Sequence, residues 1–505
     1  MHEALCITEI FDIVCQFATR STLANLARTC RALEEPSLDE LWRDLDTLEP
    51  LASLLPASLW GELNGSIILR RPLSPDHWHL VWKYSSRIAV VRRNTIYGRP
   101  FHQLLLIASR SPPPSRMFPK LRVVLSSTLV DERMPMLRWM IGTFLTRLEL
   151  TVHQVNETAL SFLSSLGTLC PNLRTVLLQC QRPVGTELIL ASMSQAICQW
   201  HHLVHATFDV LDIAVYEHLS QLKSLTTLRL HLPLQPSARI QEAELGPTPF
   251  AALTDLSIAA DSISALATWL SHLRLSPVNL TCNVGNILPV YDLCSLIEAH
   301  FCTQSLQSIY LDDYRSRYGR TVVLLDDIHP LLAFTHLRSV TLHELCTISL
   351  DDHALEEFAI ALPLLEILHL SRCILSEEAD IPTFKGLFQL VKCCPLLREL
   401  SIVIDTKPSG WVDLHCPGDG VCNYILSMLI LGNSLIDDPK RVALILGAVF
   451  PALEKVNIDE WEYLPLALVE DKEISMPLWL QVNDHLSDFA IVREQERWRR
   501  LMTEM

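Results

Sequence analysis

The side chains of this chain that could do chemistry are its histidines, cysteines and paired carboxylates, and no group of them completes a catalytic or metal-binding set. His201-His202-Leu203-Val204-His205 places two histidines four apart, the spacing of zinc ligands on a helix. The glutamate of a metalloprotease motif is missing, and the stretch falls where a strand is expected. Cys416 and Cys422 lie six apart, after His415, in a turn-rich stretch with no second cysteine pair, which reads as a loop between elements. Asp312-Asp313, Asp326-Asp327 and Asp351-Asp352 read as solvated loop edges. There is no phosphate-binding loop, dinucleotide fingerprint or nucleophile elbow. The expectation is a chain with no catalytic residue, no metal and no cofactor, and thus not an enzyme.

Composition narrows the classes further. The chain has 505 residues, 49% of them hydrophobic and 19% charged, which excludes wholesale disorder. A formal net charge of -16 disfavours nucleic-acid binding through a general basic surface. The charge is zoned: residues 1–49 carry 4 basic and 10 acidic side chains, whereas residues 50–120 carry 10 basic and 2 acidic. The first residues lack the basic region of a secretory signal, and no run of 18 apolar residues exists, so no membrane span is expected. Fifteen cysteines without a framework fit reduced thiols in cytoplasm or nucleus. The three glycosylation sequons, at Asn64, Asn156 and Asn279, then read as chance matches.

The elements that would position any functional residue are set by a repeat. The pattern apolar-x-x-apolar-x-apolar recurs from residue 121, as in Leu173-x-x-Val176-x-Leu178, Leu256-x-Ile258 after Leu253, and Leu365-x-x-Leu368-x-Leu370. Weaker copies begin at Leu121, Leu145, Leu203, Leu275 and Ile425, and a last clear one at Leu453. Copies are spaced by about 28 residues, within the range of leucine-rich repeats. The last two apolar positions share one face of a short strand. Helical stretches such as Ala354–Ile360 and Lys440–Leu446 lie between, and Pro363, Pro395 and Pro451 stop each before the next strand. One strand and one helix cannot bury their own apolar faces, whereas stacked neighbours can. The expected fold is α/β: an irregular leucine-rich-repeat solenoid over 121–478, a curved parallel sheet with outer helices. Cys170-Pro171-Asn172-Leu173 and Cys394-Pro395-Leu396-Leu397, with Leu368-x-Leu370-x-x-Cys373, resemble the cysteine-containing repeats of F-box proteins.

Residues 1–49 read as a small helical domain. Ile10, Ile13, Val14 and Phe17 fall on one helical face, Ser21 suits the cap of a second helix, and Ser37-x-x-Glu40 suits the capping box of a third. Ile7-Thr8-Glu9-Ile10, Ile13, Phe17, Leu23, Leu26, Cys30-Arg31, Leu33 and Leu41-Trp42 resemble an F-box, especially the heads of long fungal F-box/leucine-rich-repeat proteins. The resemblance departs at Thr8, where that family carries proline. It implies a substrate-recognition subunit of a cullin–RING ubiquitin ligase. Ile7, Thr8, Glu9, Ile10, Ile13, Phe17, Leu23, Leu26, Leu33 and Trp42 would bind the S-phase-kinase-associated adaptor, which joins the cullin scaffold, and the repeats would hold a protein substrate. A repeat scaffold independent of any ligase is the alternative.

Residues 50–120 read as an irregular connecting unit, with Trp78, Trp82, Tyr84, Ile88–Val91 and Leu104–Ile107 ordered and Ser111–Ser115 an exposed loop. Its arginine pairs, Arg70-Arg71 and Arg92-Arg93, are expected to balance acidic neighbours. Residues 479–505 read as a helix closing the solenoid, with Phe489, Ile491, Val492, Trp498, Leu501 and Met502 apolar. Period-two geometry directs Arg229, His369, Ser401 and Asn457 outward on the strand face, flanked by Arg398, and makes them the candidate substrate contacts.

Overall fold

Apolar residues two apart do what the repeat predicts: Leu148 and Leu150, Val176 and Leu178, Leu256 and Ile258, Ile309 and Leu311, and Leu368 and Leu370 are buried on the helix side of short parallel strands. The structure is a computed structural model that describes residues 7–63, 66–92, 117–129, 137–138, 140–152, 157–180, 186–209, 212–233, 245–285, 289–313, 322–344, 347–370, 374, 379–407, 409–459 and 469–504. Leu104–Ile107, Ser111–Ser115, Arg93 and Cys373 lie outside the described residues. The chain divides into two compact units, Met1–Leu228 with Glu242–Ala252, and Arg229–Gln241 with Leu253–Met505.

The first unit opens with helices α1 (Thr8–Phe17), α2 (Arg20–Leu26) and α3 (Arg31–Arg43). Strand β1 (Asp44–Leu45), helix α4 (Glu49–Ser53), the antiparallel hairpin of β2 (Trp60–Leu63) and β3 (Ser66–Leu69), helix α5 (Pro75–Ser85) and strand β4 (Val90–Val91) follow. The repeats supply β5 (Val123–Leu129), β6 (Arg147–Val152), α6 (Glu157–Leu169), β7 (Thr175–Cys180), α7 (Thr186–Ile197), β8 (His205–Phe208), α8 (Ile213–Ser220) and the first two residues of β9 (Thr227–Leu232). These strands pair in parallel, Asp44 with Val90, Val90 with Val123, Val123 with Arg147, Arg147 with Thr175 and Thr175 with His205. The sheet therefore begins at Asp44, well before the first apolar repeat. Two-residue strands leave no periodic trace.

The second unit holds the last four residues of β9, whose Leu232 carbonyl accepts from the Asp261 amide. It contains β10 (Asp255–Ala260), α9 (Ile263–Leu270), β11 (Asn279–Val284), α10 (Val290–His300), β12 (Ser308–Asp312), β13 (Val322–Val323), α11 (Leu325–Ile328), β14 (Ser339–Glu344) and β15 (Thr347–Ile348). Then come α12 (Asp352–Ala361), β16 (Ile367–His369), α13 (Phe384–Cys393), β17 (Glu399–Ser401), β18 (Met428–Ile430), α14 (Pro439–Val449) and α15 (Val469–Glu504). Its main sheet is parallel in the order β10-β11-β12-β14-β16-β17-β18, with β13 and β15 paired apart. The fold is an α/β leucine-rich-repeat solenoid. Helices end at Ala361, Cys393 and Val449, one residue ahead of the residue preceding each proline.

The weak copy at Ile425 forms a strand, β18, but the copy at Leu453 leaves only one bridge, Ile430 with Asn457. Helix α15 covers the outer edge of this stretch: the Asn483 side chain accepts from the Val456 amide at 2.7 Å and donates to its carbonyl at 3.0 Å, taking both groups a following strand would use. Helix α15 itself begins ten residues before the expected 479, and Pro477 lies inside it. Its sealing stripe is Ser475, Trp479, Val482 and Leu486, whereas Ile491, Val492, Trp498, Leu501 and Met502 are exposed. Two head expectations also change. Thr19, not Ser21, caps α2. Helix α3 runs through Pro36, and Ser37 is buried beside the Cys15 thiol instead of capping.

The cysteines of the Cys-Pro openings are structural. Burial pushes the thiols of Cys170 and Cys394 up to about 12, so they stay protonated. The Cys170 thiol donates to the Leu166 carbonyl at 3.0 Å, closing the end of α6. The eleven cysteines whose side chains are described are free thiols.

Candidate interaction surfaces

The head fills its own core and leaves one face over. Phe11, Cys15, Leu23 and Leu33 form that core, with Ala18, Leu26 and Leu41 packed against it. Leu23 and Leu33 are thus corrected from surface contacts to core residues, and Leu26 is half-buried. Apolar periodicity marks a buried face without saying whether the covering is internal or external. The opposite side of α1 carries Ile7, Ile10, Ile13, Val14 and Phe17 in water, Phe17 at 85% exposure. Thr8 and Glu9 are exposed beside them. An apolar stripe of this size on a small helical unit is a feature of interaction surfaces.

Helix α3 turns its other side to the basic connecting segment. Trp42 packs on Tyr84 of α5 with ring centroids 4.6 Å apart, which removes it from the α1 face. Arg87, nearly buried, bonds the carboxylates of Glu35 and Asp39, Lys83 meets Glu34 at 3.4 Å, and Arg92 donates to Asp44 at 2.9 Å. The bond from Arg87 holds the Glu35 carboxyl below its ordinary range. Burial alone would lower the Arg87 pKa, but its two carboxylate partners outweigh burial and raise it. The zoning of charge thus joins head to repeats within the first unit. A cleft of about 480 Å³ opens beside this joint, lined by Asp12, Glu40, Arg43, Lys120, Arg122 and Phe144 among others.

The candidate substrate residues are not gathered into one site. Arg229 is exposed on β9, with four strands between it and His369 on β16. His369 is half-buried, its Nε2 3.6 Å from the Glu399 carboxylate. Ser401 registers beside His369 but is 2% exposed, a correction to the outward reading. Residues 400–404 are buried throughout, because the chain after β17 packs inward, where the Ile404 amide donates to the Ser434 hydroxyl. Arg398 is exposed at the start of β17. Asn457 is spent on a turn, accepting from the Asp459 amide at 2.8 Å.

One surface had no place among the sequence candidates. Between β17 and β18 no α-helix is described, and a structured loop stands there, with a short 3₁₀ turn at Pro417–Gly420. Arg441 of α14 anchors it, donating to the carbonyls of Ser409 (3.0 Å), Gly410 (3.2 Å) and Val412 (2.7 Å). Trp411 stands on this anchored stretch at 56% exposure, its ring edge-on to Phe388 with centroids 6.3 Å apart. The cluster of glycine and proline from Pro408 to Gly420 was the available signal. Gly418 takes φ +58°, and a Cβ there would stand 2.7 Å from the Phe388 ring. Gly418→Ala is expected to destabilise the second unit by about 2 kcal/mol, from backbone strain and ring displacement. Gly410→Ala, with open space around it, should shift stability by less than about 0.5 kcal/mol. Urea unfolding of the two variants checks the contrast.

The fold and these surfaces define an α/β leucine-rich-repeat protein with a helical head. No family model matches the chain, and no curated protein matches it. Among solved structures it is similar to TLR13 in complex with ssRNA13, at 16% identity and a TM-score of 0.35, over 75% of this chain and 48% of that one. It is similar to the yeast Rad7–Elc1 complex at 14% identity and a TM-score of 0.34, over 65% and 78%. A TDR receptor matches at 13% and 0.26, over 77% and 45%. The chain spans about half the length of the first of these. Likeness at these scores carries nothing about function.

Proposed function

We propose that this chain is the substrate-recognition subunit of a cullin–RING ubiquitin ligase. Residues 7–43 act as an F-box that binds the S-phase-kinase-associated adaptor, and the repeats hold a protein substrate. The observation that supports this most is the exposed stripe Ile7, Ile10, Ile13, Val14 and Phe17, on a head whose core is already filled by Phe11, Cys15, Leu23 and Leu33. Burying such a stripe against a partner removes apolar surface from water at about 25 cal/mol per Å². The chain does no covalent chemistry and needs no cofactor. It works in cytoplasm or nucleus by tethering a substrate at high effective concentration. The second reading, a scaffold without a ligase, is favoured by one residue: Thr8 stands exposed at the first turn of α1, where an F-box carries proline.

Deleting residues 1–45 is a poor test, because it removes β1 and the acidic partners of Arg87 and Arg92. Ile10→Asp with Ile13→Asp is cleaner, since both side chains face water. Purified wild-type chain is expected to retain the adaptor through gel filtration. The double variant should bind it at least tenfold more weakly, with a melting temperature changed by no more than about 2 °C. Folded wild-type chain that ignores the adaptor would leave the scaffold reading in its place.

A further inference from the structure

We propose that the C-terminal part of α15 is a self-association surface: two copies of this chain pair there, helix beside helix and in the same direction, through Ile491, Gln495, Trp498 and Met502. The inference is independent of the head and of any ligase role.

The first observation is a helix with two apolar sides, only one of them covered. At about 100° per residue, Val482, Leu486 and Arg493 share one side of α15. Val482 and Leu486 are buried there, and Arg493 donates to the Gly447 carbonyl of α14 at 3.3 Å. Ile491, Gln495, Trp498 and Met502 fall within about 60° of one another on the opposite side. All four are exposed, as is every residue from Glu494 to Met502. So short a helical stretch is marginal in water on its own, and a helix laid along its apolar side would stabilise it.

The second is spacing. Ile491, Gln495, Trp498 and Met502 lie four, three and four apart, the seam of a two-stranded coiled coil. The single polar member, Gln495, fixes the register, because sliding one helix would set its amide against an apolar side chain.

The third is charge, and it chooses both the occupant and the direction. Glu494 and Arg499 stand on the two edges of the stripe, each about 70° from its middle. In a parallel pair the Glu494 edge of one copy faces the Arg499 edge of the other, twice over. An antiparallel pair would turn each edge toward its own kind, Glu494 toward Glu494 and Arg499 toward Arg499. The other charged residues from Ile491 to Met502 are Arg493, Glu496, Arg497 and Arg500, all about 130° or more from the middle of the stripe. Ahead of Ile491 the same side carries Asp484 and Asp488, both exposed, which would repel their counterparts and so set where the seam begins. The contact is small, on the order of 1,000 Å² for both copies together, at the low end for a specific interface.

Sedimentation equilibrium of the full chain over about 1 to 100 µM is the test, with a dissociation constant expected on the order of 10 µM. Trp498→Ala with Met502→Ala should weaken association at least tenfold and leave the melting temperature within about 2 °C, since both side chains face water. Glu494→Arg alone and Arg499→Glu alone should each weaken it several-fold, and the two together should restore it. Asp488→Leu should tighten it by lengthening the seam. Ile10→Asp with Ile13→Asp should leave it unchanged. A chain that stays a single copy throughout overturns the proposal and leaves the stripe to another partner. Association lost with the head variant but kept in Trp498→Ala with Met502→Ala overturns it too, as does a double charge reversal no tighter than either single one. Adaptor retention is measured on the same α15 variants: failure of the head reading leaves the association result untouched, and the reverse holds too.

Discussion

Trp479→Ala is expected to lower the stability of the second unit by about 3–5 kcal/mol, the range for deleting a fully buried aromatic side chain. Trp479 is 1% exposed, and its indole N–H donates to the Ser434 carbonyl at 2.9 Å. Alanine leaves both a cavity and an unpaired buried carbonyl. The location amplifies the effect. In a solenoid each repeat is held by its neighbours, so the terminal element alone shields the last repeat from water. Trp479 lies on the stripe by which α15 covers that end, between Ser475 and Val482. The loss should therefore appear first as faster amide exchange in α14 and β18, before global unfolding. Trp479→Phe, which keeps most of the volume and loses the hydrogen bond, should cost about 1–2 kcal/mol. Equal exchange in wild type and Trp479→Ala would show that α15 is ornamental to the repeat stack.

The repeats were legible because each carries the same demand. Two apolar residues two apart, followed by a helix and a proline, can be satisfied only by stacking, and the weak copy at Ile425 became β18 on that ground. What the pattern missed has definite causes. Strands β1 and β4 have two residues each, too short for a period. The final copy at Leu453 keeps one bridge to β18, and its outer groups are met by the Asn483 side chain in place of a further strand, an ending that an apolar pattern does not encode. In the head, helical spacing found the α1 stripe, but it could not divide apolar residues between an internal core and an outer face. Leu23 and Leu33 therefore fell to the wrong side. Trp42 and Arg87 owe their roles to residues about 40 to 50 positions away, Tyr84 for one and Glu35 and Asp39 for the other.

Asp351-Asp352 shows the same limit most sharply, and it carries the second large prediction. Read as a solvated loop edge, the pair divides its work between two repeats. Asp351 caps its own helix, α12, accepting from the Ala354 amide at 2.7 Å. Asp352 reaches into the next repeat, where its carboxylate accepts from the Thr383 amide (2.7 Å), the Thr383 hydroxyl (2.8 Å) and the Gly386 amide (2.9 Å). Those two amides are free donors at the start of α13, and the positive end of that helix favours the carboxylate. The approach is so close that a Cβ on Gly386 would stand 2.6 Å from the Asp352 oxygen. Asp352→Ala removes all three bonds and leaves part-buried donors unpaired, an expected loss of about 3 kcal/mol. Asp351→Ala, the loss of a single cap, should cost about 1 kcal/mol. Asp352→Asn keeps an acceptor but loses the charge, and should fall between them. Urea midpoints at constant slope order the three variants. If Asp352→Ala costs no more than Asp351→Ala, the carboxylate does not join the repeats, and their packing rests on the apolar contacts alone.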